Sequence, residues 1–397
     1  MTGDLTQQSW HQMWHDNLMA NYSTPPMLLV RGQGARVWDA DGREYIDLLA
    51  GIAVNALGHA DPRLVQAISV QASTIGHTSN LMATEPVLQL ASRLTAMVGD
   101  PTARVFFCNS GAEANEAAFK MARLTGRTHM VVAEKSFHGR TMGALALTAQ
   151  PAKQEPFRPL PGDVSVVPFG NAEALRAAVT DDTAAIMLEP IQGEGGINVP
   201  PADYLAHARA IADEHSALLI LDEVQTGVGR TGTWLASQGV PADVITLAKG
   251  LGGGIPIGAV IAVGRAASLF TPGSHGSTFG GNSISCAAAL AVLDAIEADG
   301  LMSRASLAFD VLARELPARS HGVVTHVRGR GLLLAAVLAQ PNSADVERAA
   351  RDHGLIVNAV APDAIRMAPP LTITNADLAE ALNRWDAACG TIAKAAA

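Results

Sequence analysis

Residues 217–249 (ALLILDEVQTGVGRTGTWLASQGVPADVITLAK) contain two short, continuously apolar runs, each followed by a charged residue. The first run, 217–221, is followed by Asp222, and the second run, 244–248, is followed by Lys249. Runs of this length without alternating polar residues are typical of strands that are covered on both faces, as in a parallel sheet. The stretch therefore predicts two buried strands whose ends carry an aspartate and a lysine.

Further apolar runs of the same kind alternate with segments that have helical periodicity. This alternation predicts an α/β domain with a mostly parallel sheet of seven strands. Right-handed crossovers place ligands at the carboxyl ends of such strands, so the residues directly after each run are candidate site residues. The other runs are 104–108, 129–133, 164–169, 184–188 and 257–263, and the helical segments are 112–124, 171–179 and 202–215.

The two ends of the chain depart from this alternation. Residues 28–49 predict two or three antiparallel strands, and the residues after 285 predict a long alanine-rich helix followed by short strands and helices. We therefore expect a large ligand-binding domain over residues 61–295 and a smaller α+β domain over residues 296–397. Residues 1–60 are expected to contribute to the small domain.

The composition argues against several classes of protein. The chain has 28 lysines and arginines against 37 aspartates and glutamates, and this net charge of −9 disfavours nucleic acid as a partner. Its three cysteines stand far apart, so we expect neither a disulfide framework nor a metal site. No apolar run approaches the ~18 residues of a membrane span, and the first residues lack the pattern of a secretory signal. We expect a soluble, cytoplasmic protein with no membrane partner.

Asp222 and Lys249 each have an ordinary structural interpretation. A lysine in a glycine-rich loop is usually solvated, and an aspartate at a strand end often caps the next turn. The combination of the two is what pyridoxal phosphate requires. A desolvated lysine amine condenses with the aldehyde, and the aspartate pairs with the pyridinium nitrogen so that the ring remains an electron sink.

The loops after two other strands carry groups that suit such a cofactor. Residues 109–112 (NSGA) follow a predicted strand and begin a predicted helix. The free amides of that helix terminus can bind phosphate. An ordinary Asn/Ser helix cap explains the same residues equally well. Phe137 and Arg140 follow another strand. The aromatic ring can stack on a pyridine ring and the guanidinium can hold a carboxylate, but a core phenylalanine and a solvated arginine are the alternatives.

Three further patterns favour a structural interpretation. Residues 227–232 (GVGRTG) match G-x-G-x-x-G, but no acidic residue follows in the context that a dinucleotide ribose requires. His11 and His15 lack the glutamate and the third ligand of a zinc site, so they predict an N-terminal helix. Ser110 and Ser277 lack the G-x-S-x-G context of a hydrolase nucleophile.

Six motifs stand in one order across residues 107–282 and resemble those of the class III (ω-amino) aminotransferases, which are fold-type I pyridoxal phosphate enzymes. Residues 51–62 and 366–374 extend the resemblance over nearly the whole chain. Within the family, the chain is most similar to the enzymes that act on N-acetylornithine. The motifs are FCNSGAEANEAAFK, FHGRT, LEPIQGEGG, LILDEVQTGVGRTG, TLAKGLGGGIPIGA and GSHGSTFGGN.

The resemblance implies pyridoxal 5'-phosphate as the cofactor and a homodimer with shared active sites, to which residues 1–60 would add contacts. It also implies a role for each matching residue. Lys249 would attach the cofactor and shuttle the proton, Asp222 would pair with the ring nitrogen, Gln225 would lie near the ring hydroxyl, Phe137 would stack on the ring, and Gly111, Ala112 and Thr278 of the neighbouring subunit would bind the phosphate.

The resemblance further implies how substrates bind. Arg140 would hold the α-carboxylate of the amino donor, and Ser277 of the neighbouring subunit would also contact the substrate. Glu194 would cover Arg366 while acetylornithine is bound and swing away for glutamate, which needs a second arginine. A fixed structural pair between Glu194 and Arg366 is the alternative, because a buried arginine without a partner is costly.

The implied reaction is transamination of N2-acetyl-L-ornithine with 2-oxoglutarate to N-acetyl-L-glutamate 5-semialdehyde and L-glutamate, within arginine biosynthesis. Ornithine, succinyl-diaminopimelate and a broader range of ω-amino acids are the alternative substrates. Ornithine aminotransferases carry a tyrosine where this chain has Gly51 or Ile52. Because neither residue offers a hydroxyl, an acylated nitrogen suits this position better than a free amine. An aminomutase or a decarboxylase on the same fold is a further alternative.

Overall fold

The computed structural model describes residues 7–396 of the 397-residue chain. The expectation that the first residues do not form a secretory signal concerns residues 1–6 in part, and these lie outside the described residues. The strands are β1 (Leu29–Gln33), β2 (Arg36–Asp39), β3 (Glu44–Asp47), β4 (Arg104–Cys108), β5 (His129–Ala133), β6 (Val164–Val167), β7 (Thr183–Leu188), β8 (Leu218–Asp222), β9 (Val244–Leu247), β10 (Gly258–Ala262), β11 (Val324–Arg330), β12 (Leu333–Leu338), β13 (Leu355–Ile356), β14 (Asn358–Ala361) and β15 (Ala364–Met367). The helices are α1 (Gln7–Asn17), α2 (Ala50–Ala53), α3 (Pro62–Thr74), α4 (Glu85–Val98), α5 (Gly111–Arg123), α6 (Met142–Leu147), α7 (Pro151–Gln154), α8 (Ala172–Ala178), α9 (Tyr204–Glu214), α10 (Ser283–Ala298), α11 (Leu301–Ala318), α12 (Ser343–Asp352) and α13 (Asn375–Ala396).

The central sheet has seven strands in the order β4-β10-β9-β8-β7-β5-β6. The neighbours from β9 to β6 run parallel, and β10 runs antiparallel to both β9 and β4. The predicted mostly parallel seven-stranded sheet is thereby confirmed. Every residue of β7, β8, β9 and β10 is buried, which explains why the corresponding apolar runs contain no alternating polar residues.

Strands β8 and β9 bring the predicted aspartate and lysine to the same edge of this sheet. In their parallel register Asp222 pairs with Thr246, and Lys249 follows just beyond the end of β9. Residues that end neighbouring parallel strands lie close together, so the two side chains face one region of the molecule.

Helix α5 starts directly after the edge strand β4. Ser110 accepts a hydrogen bond from the amide of Glu113 (3.1 Å), and the Glu113 carboxylate accepts one from the amide of Asn109 (2.7 Å). This reciprocal arrangement resembles a capping box and fixes where the helix begins. Small buried residues such as Ala114 and Ala118 then let the helix pack closely against the sheet.

Two smaller sheets lie outside the central one. One has the order β11-β12-β15-β14, and the other joins β1-β2-β3 to β13 from the C-terminal part of the chain. Arg36 on β2 donates to Asp377 (2.9 Å) and Glu380 (2.6 Å) on α13, so the N-terminal strands contact C-terminal elements. We keep the division into residues 1–60, 61–295 and 296–397 as a proposal that this contact supports. Within residues 7–396, the helices are either too short or too polar to cross a membrane.

Candidate active site

A cavity of about 380 Å³ opens at the carboxyl ends of the central strands. Its lining includes residues at the ends of β4, β7, β8 and β9 and in the loop after β5. The cavity brings together eight of the residues predicted from the sequence, which are Gly111, Ala112, Phe137, Arg140, Glu194, Asp222, Gln225 and Lys249. This arrangement follows from the topology, because parallel strands place their ends at one edge.

Lys249 lies on the wall of this cavity, where its side chain faces the cavity instead of bulk solvent. Burial lowers the pKa of its amine below the ordinary lysine value, although the carboxylate of Glu194 partly opposes the shift. Its backbone φ is +44°, in the left-handed region that costs a non-glycine residue about 1 kcal/mol or more. A nucleophilic amine with a lowered pKa, held in a strained conformation, is typical of a reactive lysine.

Asp222 is held by a network of hydrogen bonds at the floor of the cavity. Its Oδ2 accepts from Asn115 Nδ2 (2.7 Å) and from His138 Nδ1 (2.7 Å), and its Oδ1 accepts from the amide of Val224 (3.0 Å). Burial by itself lowers the pKa of His138, but the hydrogen bond to Asp222 raises it above the ordinary value. The network fixes the orientation of the carboxylate.

Glu189 and the network partners of Asp222 were not singled out from the sequence. Glu189 accepts hydrogen bonds from the amides of Phe137 (3.1 Å) and Gly193 (3.2 Å), and burial raises its pKa to about 7. Glu189 directly follows β7, as Asp222 ends β8. The expectation that residues at the carboxyl ends of parallel strands line the site could therefore have identified Glu189 as well. His138 stands within the FHGRT motif next to the stacking residue.

The start of α5 offers an anion site next to the lysine and the aspartate. Within the described part of the chain, the amides of Gly111 and Ala112 have no hydrogen-bond acceptor, as expected for the first turn of a helix. A Cβ on Gly111 would lie 2.6 Å from Val224, and a Cβ on Gly139 would lie 2.7 Å from Ala112. Both glycines are therefore required for this close packing, and the helix terminus itself attracts negative charge.

Arg140 and Phe137 form the outer wall of the cavity. The guanidinium carbon of Arg140 lies 5.7 Å from the centre of the Phe137 ring, and the side chain remains exposed. This geometry leaves the guanidinium free to bind an anion that enters the cavity.

Arg366 lies behind the cavity, where its side chain is 2% exposed and forms an ion pair with Glu194. It also donates to Gln225 Oε1 (3.2 Å) and Asn358 Oδ1 (2.8 Å). Burial raises the pKa of Glu194, but the positive charges of Arg366 and Lys249 outweigh this effect and hold it below its ordinary value. A second arginine is therefore present, and in this structure Glu194 covers it.

Comparison with known proteins identifies the family. The family model described as "Aminotransferase class-III" matches residues 18–389. The chain belongs to the class III aminotransferases. This membership confirms the family resemblance and the fold-type I architecture inferred from the motifs.

Two relatives that match nearly the whole length of this chain share one name. The acetylornithine aminotransferase of Mycobacterium tuberculosis (strain ATCC 25618 / H37Rv) is 60% identical over 95% of this chain and 96% of its own length. The acetylornithine aminotransferase of Streptomyces coelicolor is 57% identical over 95% of this chain and 94% of its own length. Among solved structures, the N-acetylornithine aminotransferase of Stenotrophomonas maltophilia has a TM-score of 0.84 and 38% identity over 97% of this chain and 99% of that chain. The ornithine aminotransferase of Toxoplasma gondii has a TM-score of 0.93 and 31% identity over 98% of this chain and 96% of that chain.

Class III aminotransferases depend on pyridoxal phosphate, and the residues of this cavity fit that group. The cavity offers a desolvated amine for the aldehyde, an oriented carboxylate for the ring nitrogen and free helix amides for the phosphate. Phe137 supplies an aromatic face beside them. The cofactor predicted from the sequence is therefore confirmed, while the role of each residue toward it stays a prediction.

Ser277 and Thr278 do not line the cavity of this class III chain, as far as residues 7–396 define it. Ser277 Oγ accepts hydrogen bonds from Asn109 Nδ2 (3.1 Å) and the amide of Gly280 (2.9 Å), and Thr278 is exposed. The sequence assigned both residues to the active site of a neighbouring subunit. Their position outside the cavity of their own chain is compatible with that assignment, which stays a prediction.

Proposed function

We propose that this class III aminotransferase transfers the terminal amino group of N2-acetyl-L-ornithine to 2-oxoglutarate, giving N-acetyl-L-glutamate 5-semialdehyde and L-glutamate in arginine biosynthesis. The observation that carries the proposal is a lysine cavity with one open arginine, Arg140, and one covered arginine, Arg366. The first suits the single carboxylate of acetylornithine, and the second suits the additional carboxylate of glutamate. The 60% and 57% identical acetylornithine aminotransferases support the same substrate.

When bound, pyridoxal phosphate supplies an electron sink for the bond that breaks at the amino-bearing carbon. Lys249 attaches the cofactor and moves a proton to and from that carbon, which its lowered pKa favours. Asp222, which His138 orients, would hold the proton on the ring nitrogen, and Phe137, which lines the cavity, would stack on the ring. Gln225 lines the same cavity and donates to Glu194 Oε1 (3.4 Å), and it would lie near the ring hydroxyl.

We propose that the ion pair between Glu194 and Arg366 opens during each catalytic cycle. Arg366 is nearly fully buried, and a buried arginine that loses its partner costs about 3–5 kcal/mol. The α-carboxylate of glutamate can replace the carboxylate of Glu194, whose side chain is 25% exposed and therefore has room to move. A pair that stays closed throughout the cycle is the competing interpretation.

Glu194→Ala tests this exchange. We expect the glutamate half-reaction to keep its rate or to gain, and the acetylornithine half-reaction to fall by about tenfold, because uncovered Arg366 then competes with Arg140 for the donor carboxylate. Single-turnover kinetics with each amino donor measure the two rates. Glu173→Ala, on the exposed first turn of α8, is the matched control. Unchanged selectivity would show that the pair is a fixed structural contact.

A panel of amino donors tests the substrate itself. We expect N-acetylornithine to give the highest kcat/KM with 2-oxoglutarate, ahead of ornithine, succinyl-diaminopimelate and other ω-amino acids. Gly51 and Ile52, the residues expected to meet the distal end of the donor, carry no hydroxyl, which supports an uncharged acylated nitrogen at that position. Absence of turnover with N-acetylornithine would reject the proposed function.

We also propose that the protein is a cytoplasmic homodimer with shared active sites. Leu81, Met82 and Phe279 are 87%, 69% and 60% exposed, and Asn80 connects the two segments by donating to Gly280 O (2.9 Å). Exposed apolar side chains that lie together are typical of a subunit interface. Thr278 is adjacent to Phe279, so a partner that covers this surface would also contact Thr278.

A further inference from the structure

Lys153 lies beside Phe137 of the cavity wall, although no sequence pattern singles it out. It belongs to the short helix α7, and its Nζ is 5.8 Å from the centre of the Phe137 ring. The guanidinium carbon of Arg140 lies 5.7 Å from the centre of the same ring. Two positive charges therefore flank the aromatic side chain that lines the cavity.

The ammonium group of Lys153 is held in place by the protein. Its Nζ donates to Gln150 Oε1, and Gln150 Nε2 donates in turn to the backbone carbonyls of Lys135 (3.2 Å) and Ser136 (3.2 Å), which lead into Phe137. The lysine is thus connected to the same turn that carries the stacking residue. Such a connection fixes the position of the charge relative to the cavity.

The ammonium group also retains capacity to bind a ligand. A lysine has three N–H donors, and Gln150 is the acceptor that the structure of residues 7–396 provides. Over the same residues, its partners are the neutral Gln150 amide and the face of the Phe137 ring, neither of which is a carboxylate. Burial and the positive charge of Arg140 lower the pKa of Lys153, while Glu194 raises it, which places the amine in the electrostatic field of the candidate site.

The end of the amino donor that is far from the reacting amine differs between candidate substrates in a way that a lysine ammonium can distinguish. In N-acetylornithine, one carbon carries both the carboxylate and an amide nitrogen with its acyl oxygen. In ornithine, the same carbon carries the carboxylate and an ammonium group. When Arg140 holds the carboxylate, the acyl oxygen or the ammonium lies within a few bonds of it, in the region of the second positive charge.

We propose that Lys153 is a specificity-determining residue that selects N-acylated donors over free diamino acids. Its ammonium donates a hydrogen bond to the acyl oxygen, and it repels the free α-ammonium of ornithine. Selectivity then arises from attraction to one substrate and repulsion of its competitor, which is a common basis of specificity. The inference rests on the proposed function, because it assigns the distal end of the donor to Arg140.

Three donors separate attraction from repulsion. N-acetylornithine carries the acyl group, ornithine carries the free ammonium, and 5-aminopentanoate carries neither but retains the carboxylate and the terminal amine. In Lys153→Met, we expect kcat/KM to fall by about tenfold for N-acetylornithine, to rise for ornithine and to change least for 5-aminopentanoate. The change for N-acetylornithine is expected in KM more than in kcat, because the contact is far from the reacting carbon.

Two further variants vary the charge at this position. Lys153→Glu is expected to raise the ratio of ornithine to N-acetylornithine further, and Lys153→Arg is expected to restore the preference for the acylated donor. Arg158→Met is the matched control, because Arg158 is an exposed cation of the same connection that pairs with Glu155. Thermal unfolding verifies that each variant is folded. If Lys153→Glu does not fold, the comparison between Lys153→Met and the wild type is sufficient for the test.

The possible failures are distinguishable. A wild-type enzyme that does not turn over N-acetylornithine rejects the proposed function. A wild-type enzyme that does, combined with a donor ratio that is the same in Lys153→Met and Arg158→Met, rejects the role of Lys153 alone. An equal loss for all three donors also rejects it, because a purely structural role affects every donor alike.

Discussion

The floor and the rim of the cavity are built in different ways. At the floor, Asp222 is 4% exposed, accepts three hydrogen bonds of 3.0 Å or less, and lies one strand away from Lys249 within a single buried sheet. At the rim, Arg140 is exposed, and Glu194 reaches Arg366 on a different sheet. We therefore expect the chemistry to depend on the buried, hydrogen-bonded floor and substrate selection to depend on the groups of the rim.

The largest effect is expected at the floor. Replacing Lys249 by alanine is expected to reduce the rate of both half-reactions by about 10,000-fold or more, because it removes the group proposed to attach the cofactor and transfer the proton. Lys249→Arg is expected to fail as well, since a guanidinium stays protonated near neutral pH. Single-turnover kinetics with glutamate and with N-acetylornithine measure the loss.

Lys394→Ala is the control for this experiment, because Lys394 is exposed on α13, far along the chain from the cavity. If the floor acts on both amino donors alike, the rates with glutamate and with N-acetylornithine fall by the same factor in Lys249→Ala. A loss confined to one donor would mean that Lys249 acts in substrate selection, and the distinction between the two regions would break down.

An intermediate effect is expected from Thr278, which would complete the rim of the neighbouring subunit. Thr278→Ala is expected to weaken activity by about 10- to 100-fold through a lost phosphate contact. When Thr278→Ala and Lys249→Ala chains are combined in one hybrid dimer, shared sites give one site with both lesions and one site with neither. Purified hybrid dimers carrying two different affinity tags are therefore expected to be more active than either parent.

If each subunit instead builds its site alone, the hybrid contains one inactive site and one weakened site. Its activity would then lie between those of the two parents and would never exceed that of the Thr278→Ala enzyme. The experiment thus decides whether the rim belongs to one chain or to two.

The sequence predicted the floor better than the rim for a physical reason. Residues at the ends of buried parallel strands are placed by the sheet, so Asp222 and Lys249 are located by counting from apolar runs. Lys153 is placed by a tertiary hydrogen bond to Gln150 and by the Phe137 ring, and no periodicity reports such contacts. For Glu194 and Arg366, the family motifs supplied what local patterns did not.

Helices show the same limit. The strands of the central sheet were predicted to within a residue or two at each end, whereas α3, α4 and α11 were not anticipated. Helix α13 extends to Ala396 although its alanine-rich last turns have weak periodicity, because Ala388 and Cys389 pack into the core. These helices have a mixed polar and apolar composition, so their sequence alone does not predict them. Packing against the rest of the protein stabilises them, and local sequence patterns do not report such packing.

Glu189 connects the floor to the rim, and its removal is expected to have the smallest effect. Its carboxyl accepts hydrogen bonds from Phe137 and from Gly193, which precedes Glu194, and burial raises its pKa from 4.5 to about 7. The folded state therefore binds a proton that the unfolded chain releases between these values. This group contributes stability below pH 4.5 that is lost as the pH rises through about 7.

Glu189→Gln removes this titration and keeps an acceptor at the same place. We expect its free energy of unfolding to vary less than that of the wild type between about pH 5 and 8, by about 1–3 kcal/mol across the window. Denaturant unfolding at several pH values measures both slopes, and Glu173→Gln on the exposed turn of α8 controls for the loss of a charge. Parallel curves for wild type and Glu189→Gln would show that the carboxyl is ionised throughout. Floor and rim would then be joined by a permanent negative charge, and His138 together with Lys249 would have to balance it.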